Sequence, residues 1–307
     1  MIVQLLLIGL LLLTNSGPEV APERLLELEP GRVSGITLAV AAEADADASA
    51  VELTRSADGW LVDDRRADDD KIDRLLDQLT TLGPGWPVAT TSVAQERFAV
   101  TDDGFRKKLT FTLDDGSETA LLLGTSPGFK RLHARLPESD AVFSIALGDF
   151  DLPAKPADWL DKALLALGEP VLAASRREVL RVERESVDAA EWQLSAPAEG
   201  GTQAAAAANV ERWLERFQTL RVVAETAAPE AEAPDDIFVF ATPGGELTYA
   251  LYHDAEADRY TMRRNDVDGY YEVPSYIALQ LRANLESLLP VAPEDAAAPV
   301  PLDSAGE

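Results

Sequence analysis

The sequence predicts an α+β protein of two tandem similar domains, each a largely antiparallel sheet packed with an amphipathic helix and a closing helix, with an apolar N-terminal helix ahead of them. Three observations predict it. Ile72, Leu75, Leu76, Leu79 and Leu82 follow the i, i+3, i+4, i+7 pattern of one helical face, and Val210, Trp213, Leu214, Phe217 and Leu220 repeat it at identical spacing. Each of these helices follows a strand-like run ending in tryptophan, Val51 to Trp60 and Val179 to Trp192. Each is followed by apolar alternation around a glycine turn, which reads as a β-hairpin. At 307 residues the chain is long enough for two cores.

In chain order, residues 1–17 read as a signal anchor or signal peptide. Ile2 to Leu13 is nearly all apolar, broken only by Gln4 and Gly9, and Asn15, Ser16, Gly17 and Pro18 stop any helix. As a helix it spans about 18 Å against a hydrocarbon core of about 30 Å, and no Lys or Arg precedes it, so a truncated anchor and a cleaved signal both remain open. The first domain is expected over residues 24–167 and the second over 168–290.

Within the first domain, acids at the start of the Asp69 to Leu82 helix suit its positive end. Leu109, Phe111 and Leu113 then alternate with polar residues, turn at Asp114 to Gly116, and resume at Ala120 to Leu123. Phe238 and Phe240 do the same in the second domain, turning at Pro243 to Gly245 before Leu247, Tyr249 and Leu251. A second strand pair follows in each, His133 to Leu136 with Ala141 to Ile145, and Tyr260 to Arg263 with Gly269 to Val273. Pro156 to Leu167 and Ser275 to Leu289 are expected to be closing helices. Ala41 to Ala50, Ala196 to Ala208 and Ala224 to Asp235 read as spacers, and residues 291–307 as a disordered acidic Ala/Pro tail.

Charge and composition narrow the function. A formal net charge of -27, from 54 acidic against 27 basic residues, repels a phosphate backbone, so no nucleic-acid partner is expected. The absence of cysteine rules out disulfides, thiolate metal sites and a lipid-modified N-terminal cysteine, leaving the apolar segment as the means of membrane attachment.

The order of these features resembles the bacterial envelope family catalogued as domain of unknown function 4340. The residues that carry the resemblance are Asp58, Gly59 and Trp60, the helix from Lys71 to Leu82, Leu123 with Gly124, and Trp159, Leu160, Asp161 and Lys162, and the resemblance covers Leu26 to Leu289 in two tandem copies. Members of that family are associated with auxiliary subunits of envelope ABC transporters. The resemblance therefore implies a scaffold beside a membrane complex and transfers no catalytic residue.

Gly124, Thr125, Ser126, Pro127 and Gly128 satisfy the G-x-S-x-G form of a hydrolase nucleophile elbow, but Pro127 biases Ser126 away from the helix that such an elbow requires. The chain has two histidines to serve as base, His133 and His253, neither in a conspicuous motif. Asp266, Asp268 and Gly269 resemble the middle of a calcium loop, yet Arg264 and Ser275 stand where the closing ligands belong. Asp68 to Asp70 and Asp102 with Asp103 read as solvated helix starts and turns. Trp60, Trp192 and Trp213 read as core residues, with Trp86 less constrained. Tyr270, Tyr271 and Tyr276 form the candidate partner surface, beside a sheet edge.

The expectation is thus a non-enzymatic, periplasm-facing envelope adaptor with no cofactor and no metal. Its partner is an envelope or inner-membrane protein, such as an ABC transporter subunit, and its location is the inner membrane through the N-terminal segment, or the soluble periplasm after cleavage. A solute-binding module with a site between the two repeats is the alternative.

Overall fold

The structure, a computed structural model, describes residues 24–42, 48–83, 85–196 and 200–290. The apolar segment at 1–17 and the tail at 291–307 lie outside the described residues. The chain divides into two compact units, Met1–Asp161 and Lys162–Glu307, each built on one antiparallel sheet. The protein is therefore α+β. Among the described residues no helix is long and apolar enough to cross a membrane.

The first unit opens with strands β1 (Val33–Val40), β2 (Ser49–Ser56), β3 (Gly59–Val62) and β4 (Arg65–Arg66). Helices α1 (Asp69–Thr80) and α2 (Ser92–Phe98) follow, then β5 (Lys107–Leu113), β6 (Glu118–Leu123), β7 (Leu132–Arg135) and β8 (Val142–Ile145). The sheet order is β4-β3-β2-β1-β5-β6-β7-β8, so α1 carries the chain from an edge strand back to the middle. Period-two alternation buries Ile36, Leu38, Val51, Leu53, Leu109, Phe111, Leu121 and Leu123, and α1 adds Ile72, Leu75, Leu76 and Leu79. Each such side chain contributes about 1.5–3 kcal/mol when fully withdrawn from water. Asp68 caps α1 by accepting from the Lys71 amide at 3.0 Å.

Leu122 points to the other face of β6, where it packs with Val100 and Val142 beneath Ala89, Phe98 and Phe105. Helix α2 and its flanks therefore cover that face near β6 to β8. This explains why the Leu121 to Leu123 run is continuously apolar.

Two expectations for this unit need correction. The run Val51 to Trp60 is a hairpin, because Gly59 at φ +125° turns β2 into β3. Pro156 to Leu167 is not a helix: a 3-10 turn at Pro156–Asp158 leads to a bridge between Leu160 and Ala67, and the Asp161 amide donates to Arg66 O at 2.9 Å. The segment buries Trp159 and Leu160 by lying along the β4 edge, where its backbone pairs with Ala67 and Arg66 instead of with itself.

The second unit contains β9 (Ala173–Arg176), β10 (Leu180–Glu183), β11 (Gln193–Ser195), β12 (Thr202–Ala204) and α3 (Ala207–Gln218). Strands β13 (Glu225–Thr226), β14 (Asp236–Thr242), β15 (Gly245–Asp254), β16 (Arg259–Arg264) and β17 (Val267–Val273) follow, then α4 (Ser275–Leu281). The order β12-β11-β10-β9-β14-β15-β16-β17-β13 repeats that of the first sheet, with β13 added at the edge. In the first unit the Ala89–Val142 bridge lies at the matching edge. Helix α3 has the 12-residue length of α1 and buries Val210, Trp213, Leu214 and Phe217. Its core is aromatic: the Phe217 ring lies 4.7 to 5.4 Å from those of Phe240, Phe238 and Tyr249.

The stretches read as spacers at Ala196 to Ala208 and Ala224 to Asp235 contain β12 and β13. Both are edge strands held by backbone pairing, with no inward apolar residue to reveal them. The helix expected over Ser275 to Leu289 ends at Leu281, and Asn284 Oδ1 accepts from the Ser287 amide to start a separate 3-10 turn at Glu286–Leu288.

Candidate functional site

The G-x-S-x-G stretch forms the loop between β6 and β7, not a strand-to-helix elbow. Gly124 passes under α2: its amide donates to His133 O, and the Thr125 amide donates to Phe98 O at 2.8 Å. A Cβ on Gly124 would stand 1.9 Å from Phe98 O and 2.5 Å from Ala99 O, so only glycine fits. Ser126 Oγ lies 2.8 Å from the carbonyl oxygens of both Gly128 and Arg131, which ties the hydroxyl to the loop's own backbone. The His133 ring is held away from it. Its Nδ1 lies 2.9 Å from both Thr125 Oγ1 and Thr125 O, while the ring stacks on Phe98 at 4.0 Å. Burial lowers the His133 pKa below its ordinary value, opposed by the Thr125 carbonyl. The serine and histidine that sequence brings near each other are thus engaged with separate backbone partners.

The acidic candidates are likewise engaged. Asp68 caps α1, Asp69 Oδ1 accepts from the Trp60 amide at 2.7 Å, and Asp102 pairs with the buried Arg135 at 2.7 Å. Asp266 takes two hydrogen bonds from the Arg264 guanidinium, so it faces a cation already within the chain. Among the described residues no group of three or more His, Asp or Glu is placed to hold a metal ion.

Trp60 and Trp192 are each 2 % exposed and each is lidded by an arginine. Arg55 lies 4.5 Å from the Trp60 ring centre and donates Nε to Val33 O, and Arg184 lies 4.7 Å from the Trp192 ring and donates Nε to Val171 O. Sequence reading missed both arginines, since nothing in their spacing marks them. In the second unit an open groove beside this pair is lined by Arg184, Trp192, Glu169, Glu211, Leu214 and Gln218.

The sequence matches the family described as domain of unknown function (DUF4340) over residues 62–237. The chain belongs to the DUF4340 family. The matched stretch takes in α1, the Leu123–Gly124 step and the Trp159 to Lys162 segment, runs from β3 into β14, and begins just after the Asp58 to Trp60 turn. Within it the Leu123–Gly124 step is the close passage under α2. The Trp159 to Asp161 segment is the strip that bridges the β4 edge, with Lys71 Nζ 4.8 Å from the Trp159 ring. No curated protein and no solved structure matches the chain.

The three tyrosines of the candidate partner surface part company. Tyr271 is 1 % exposed and donates its hydroxyl to Asp268 O, so it belongs to the core. Tyr270 is half-buried, edge-on to Tyr252 and near Arg263. Tyr276 is exposed on α4 together with Leu279, one helical turn further on.

Proposed function

We propose that this DUF4340 protein is a non-enzymatic adaptor of the bacterial envelope, anchored through residues 1–17, facing the periplasm and engaging a membrane-protein partner such as an ABC transporter subunit. In this reading the two units are copies of one domain. Their common strand order, their equal helices with the same apolar positions, and the arginine-lidded tryptophan in each support it.

The observation that carries the adaptor reading is the pairing of Tyr276 with Leu279, exposed side by side on the outer face of α4. An apolar pair on a short, well-anchored helix suits a helix-face contact with another protein. The test is site-specific photo-crosslinking in intact cells from position 276, with Leu279→Glu as the comparison. The expected result is a crosslink to one envelope protein that Leu279→Glu abolishes. Crosslinks to no envelope protein, or crosslinks that Leu279→Glu leaves unchanged, would overturn the reading.

A further inference from the structure

Two phenylalanines of the first unit stand almost wholly in solvent, Phe129 at 88 % and Phe150 at 95 % exposure. They occupy neighbouring loops at one end of the sheet. β6 ends at Leu123 opposite Lys107, where β5 begins, and β8 ends at Ile145 opposite Leu132, where β7 begins. The loop carrying Phe129 and the segment carrying Phe150 therefore leave the sheet together, and Lys130 Cα lies 3.6 Å from where a Cβ on Gly148 would sit.

Neither ring sits on a loosely held loop. Phe129 is at the tip of a turn closed by the Arg131 amide donating to Gly128 O, with Ser126 Oγ bracing both carbonyls and the Arg131 guanidinium bound to Ser144. Phe150 lies in a 3-10 turn whose start is fixed by Asp151 Oδ2 accepting from the Gly148 amide. Lys107 Nζ ties the same turn down through Asp149 Oδ1, at 2.7 Å, and Leu152 O. Rings held outward by this many bonds are presented by the fold.

The surrounding charge selects the occupant. In a chain of net -27, the three segments that meet at this end, residues 104–109, 124–131 and 146–152, hold the basic Arg106, Lys107, Lys108, Lys130 and Arg131 against the acidic Asp149 and Asp151. Lys130 Nζ lies 5.5 Å from the Phe129 ring centre and is exposed, and Arg106, whose amide donates to Leu123 O at the end of β6, is exposed as well. The acids flanking Phe150 are engaged: Asp149 with Lys107, and Asp151 with the Gly148 amide. Protruding rings at an end where basic side chains outnumber acidic ones fit a soft apolar medium under a phosphate layer better than a rigid protein surface, which would need a pocket for each ring.

We propose that this end of the first unit docks on a lipid bilayer, with Phe129 and Phe150 entering the headgroup and acyl boundary and Lys130 and Arg106 meeting lipid phosphates. The chain has no cysteine, so one introduced thiol can be labelled alone. A Cβ at Gly128 meets nothing within 4 Å, so Gly128→Cys carries a nitroxide beside Phe129 with both rings kept. Glu118→Cys places the same label at the opposite end of β6.

The full chain is incubated with vesicles of phosphatidylcholine containing one-fifth phosphatidylglycerol, and each label's accessibility to oxygen and to a nickel chelate is measured. On vesicle-bound protein the label at 128 is expected to gain oxygen contact and lose nickel contact several-fold, and the label at 118 to remain aqueous. Phe150→Ser in the labelled background should return the label at 128 toward water. A label at 128 that stays aqueous on vesicle-bound protein overturns the proposal. So does protection that appears without vesicles as protein concentration rises, which would mean contact between copies, or immersion that Phe150→Ser leaves unchanged.

Discussion

Gly124 passes so near Phe98 that the carbonyl oxygen of Phe98 occupies the space a side chain on Gly124 would need, 1.9 Å from an ideal Cβ. The obstacle is backbone at the end of α2, which cannot rotate aside as a side chain could. Gly124→Ala should therefore push α2 off the sheet, breaking the Thr125-to-Phe98 hydrogen bond and opening the Val100, Leu122 and Val142 cluster. A loss of about 2–4 kcal/mol is expected, against about 0.5 kcal/mol or less for Gly128→Ala in the same loop, where space is open. Urea unfolding of the two variants checks the contrast, and similar midpoints would refute it.

The two long helices differ at their first residue in a way that stability can report. Asp68 (φ -77°, ψ 93°) caps α1, while Ala206 (φ -74°, ψ 105°) holds the same backbone conformation before α3 with no side-chain acceptor. Ala206→Asp should supply the missing cap and place an anion at a helix start that has no acid in its first turn, stabilising the second unit by about 0.5–1 kcal/mol. Asp68→Ala should destabilise the first unit by about 1 kcal/mol. Denaturation midpoints moving in the same direction for both variants would show that the capping argument fails.

These helices also show what the sequence made legible. Their apolar residues recur every three or four positions because one face must be buried, and the structure buries Ile72, Leu75, Leu76 and Leu79 in one and Val210, Trp213, Leu214 and Phe217 in the other. The hairpins of β5 with β6 and β14 with β15 were readable from alternation and turn residues for the same reason. Helix α2 was not, because it buries only Gln95 and so carries no apolar stripe. The Leu160, Leu164 and Leu167 spacing mimics a helix, yet Leu160 is buried along a strand edge. At the candidate site the G-x-S-x-G form was visible while its meaning was not, since it depends on the backbone of Phe98, which only folding brings to the loop.

Acid should weaken the first unit through His133. Burial holds its folded pKa below the ordinary value of 6.5, so the unfolded chain takes up a proton at this ring before the folded one does. The contribution of His133 to stability is therefore complete above about pH 6.5 and declines as the pH falls from there through the folded pKa. His133→Phe keeps a ring to stack on Phe98 and removes the proton. It should flatten the pH dependence of the unfolding midpoint over that window, while NMR titration of the wild-type imidazole should give a value below 6.5. A titration at or above that value would contradict the argument.

Buried indoles allow a sharper comparison within one unit. Trp192 and Trp213 are each 2 % exposed, but Trp213 Nε1 donates to Leu281 O at 2.8 Å, whereas Trp192 Nε1 has no acceptor among the described residues. Trp60 Nε1 shares that condition in the first unit, so each arginine-lidded indole keeps an unanswered donor. Replacement by phenylalanine removes the same volume at either site, so the cavity cost is comparable. Trp213→Phe also strands the Leu281 carbonyl and loses a hydrogen bond, while Trp192→Phe removes a donor whose burial costs about 1–3 kcal/mol. Trp192→Phe should therefore be the milder change by about 1–2 kcal/mol in the unfolding of the second unit. Equal losses would mean that the Trp192 indole has an acceptor in solution, with an ordered water in the Arg184 groove the first place to look.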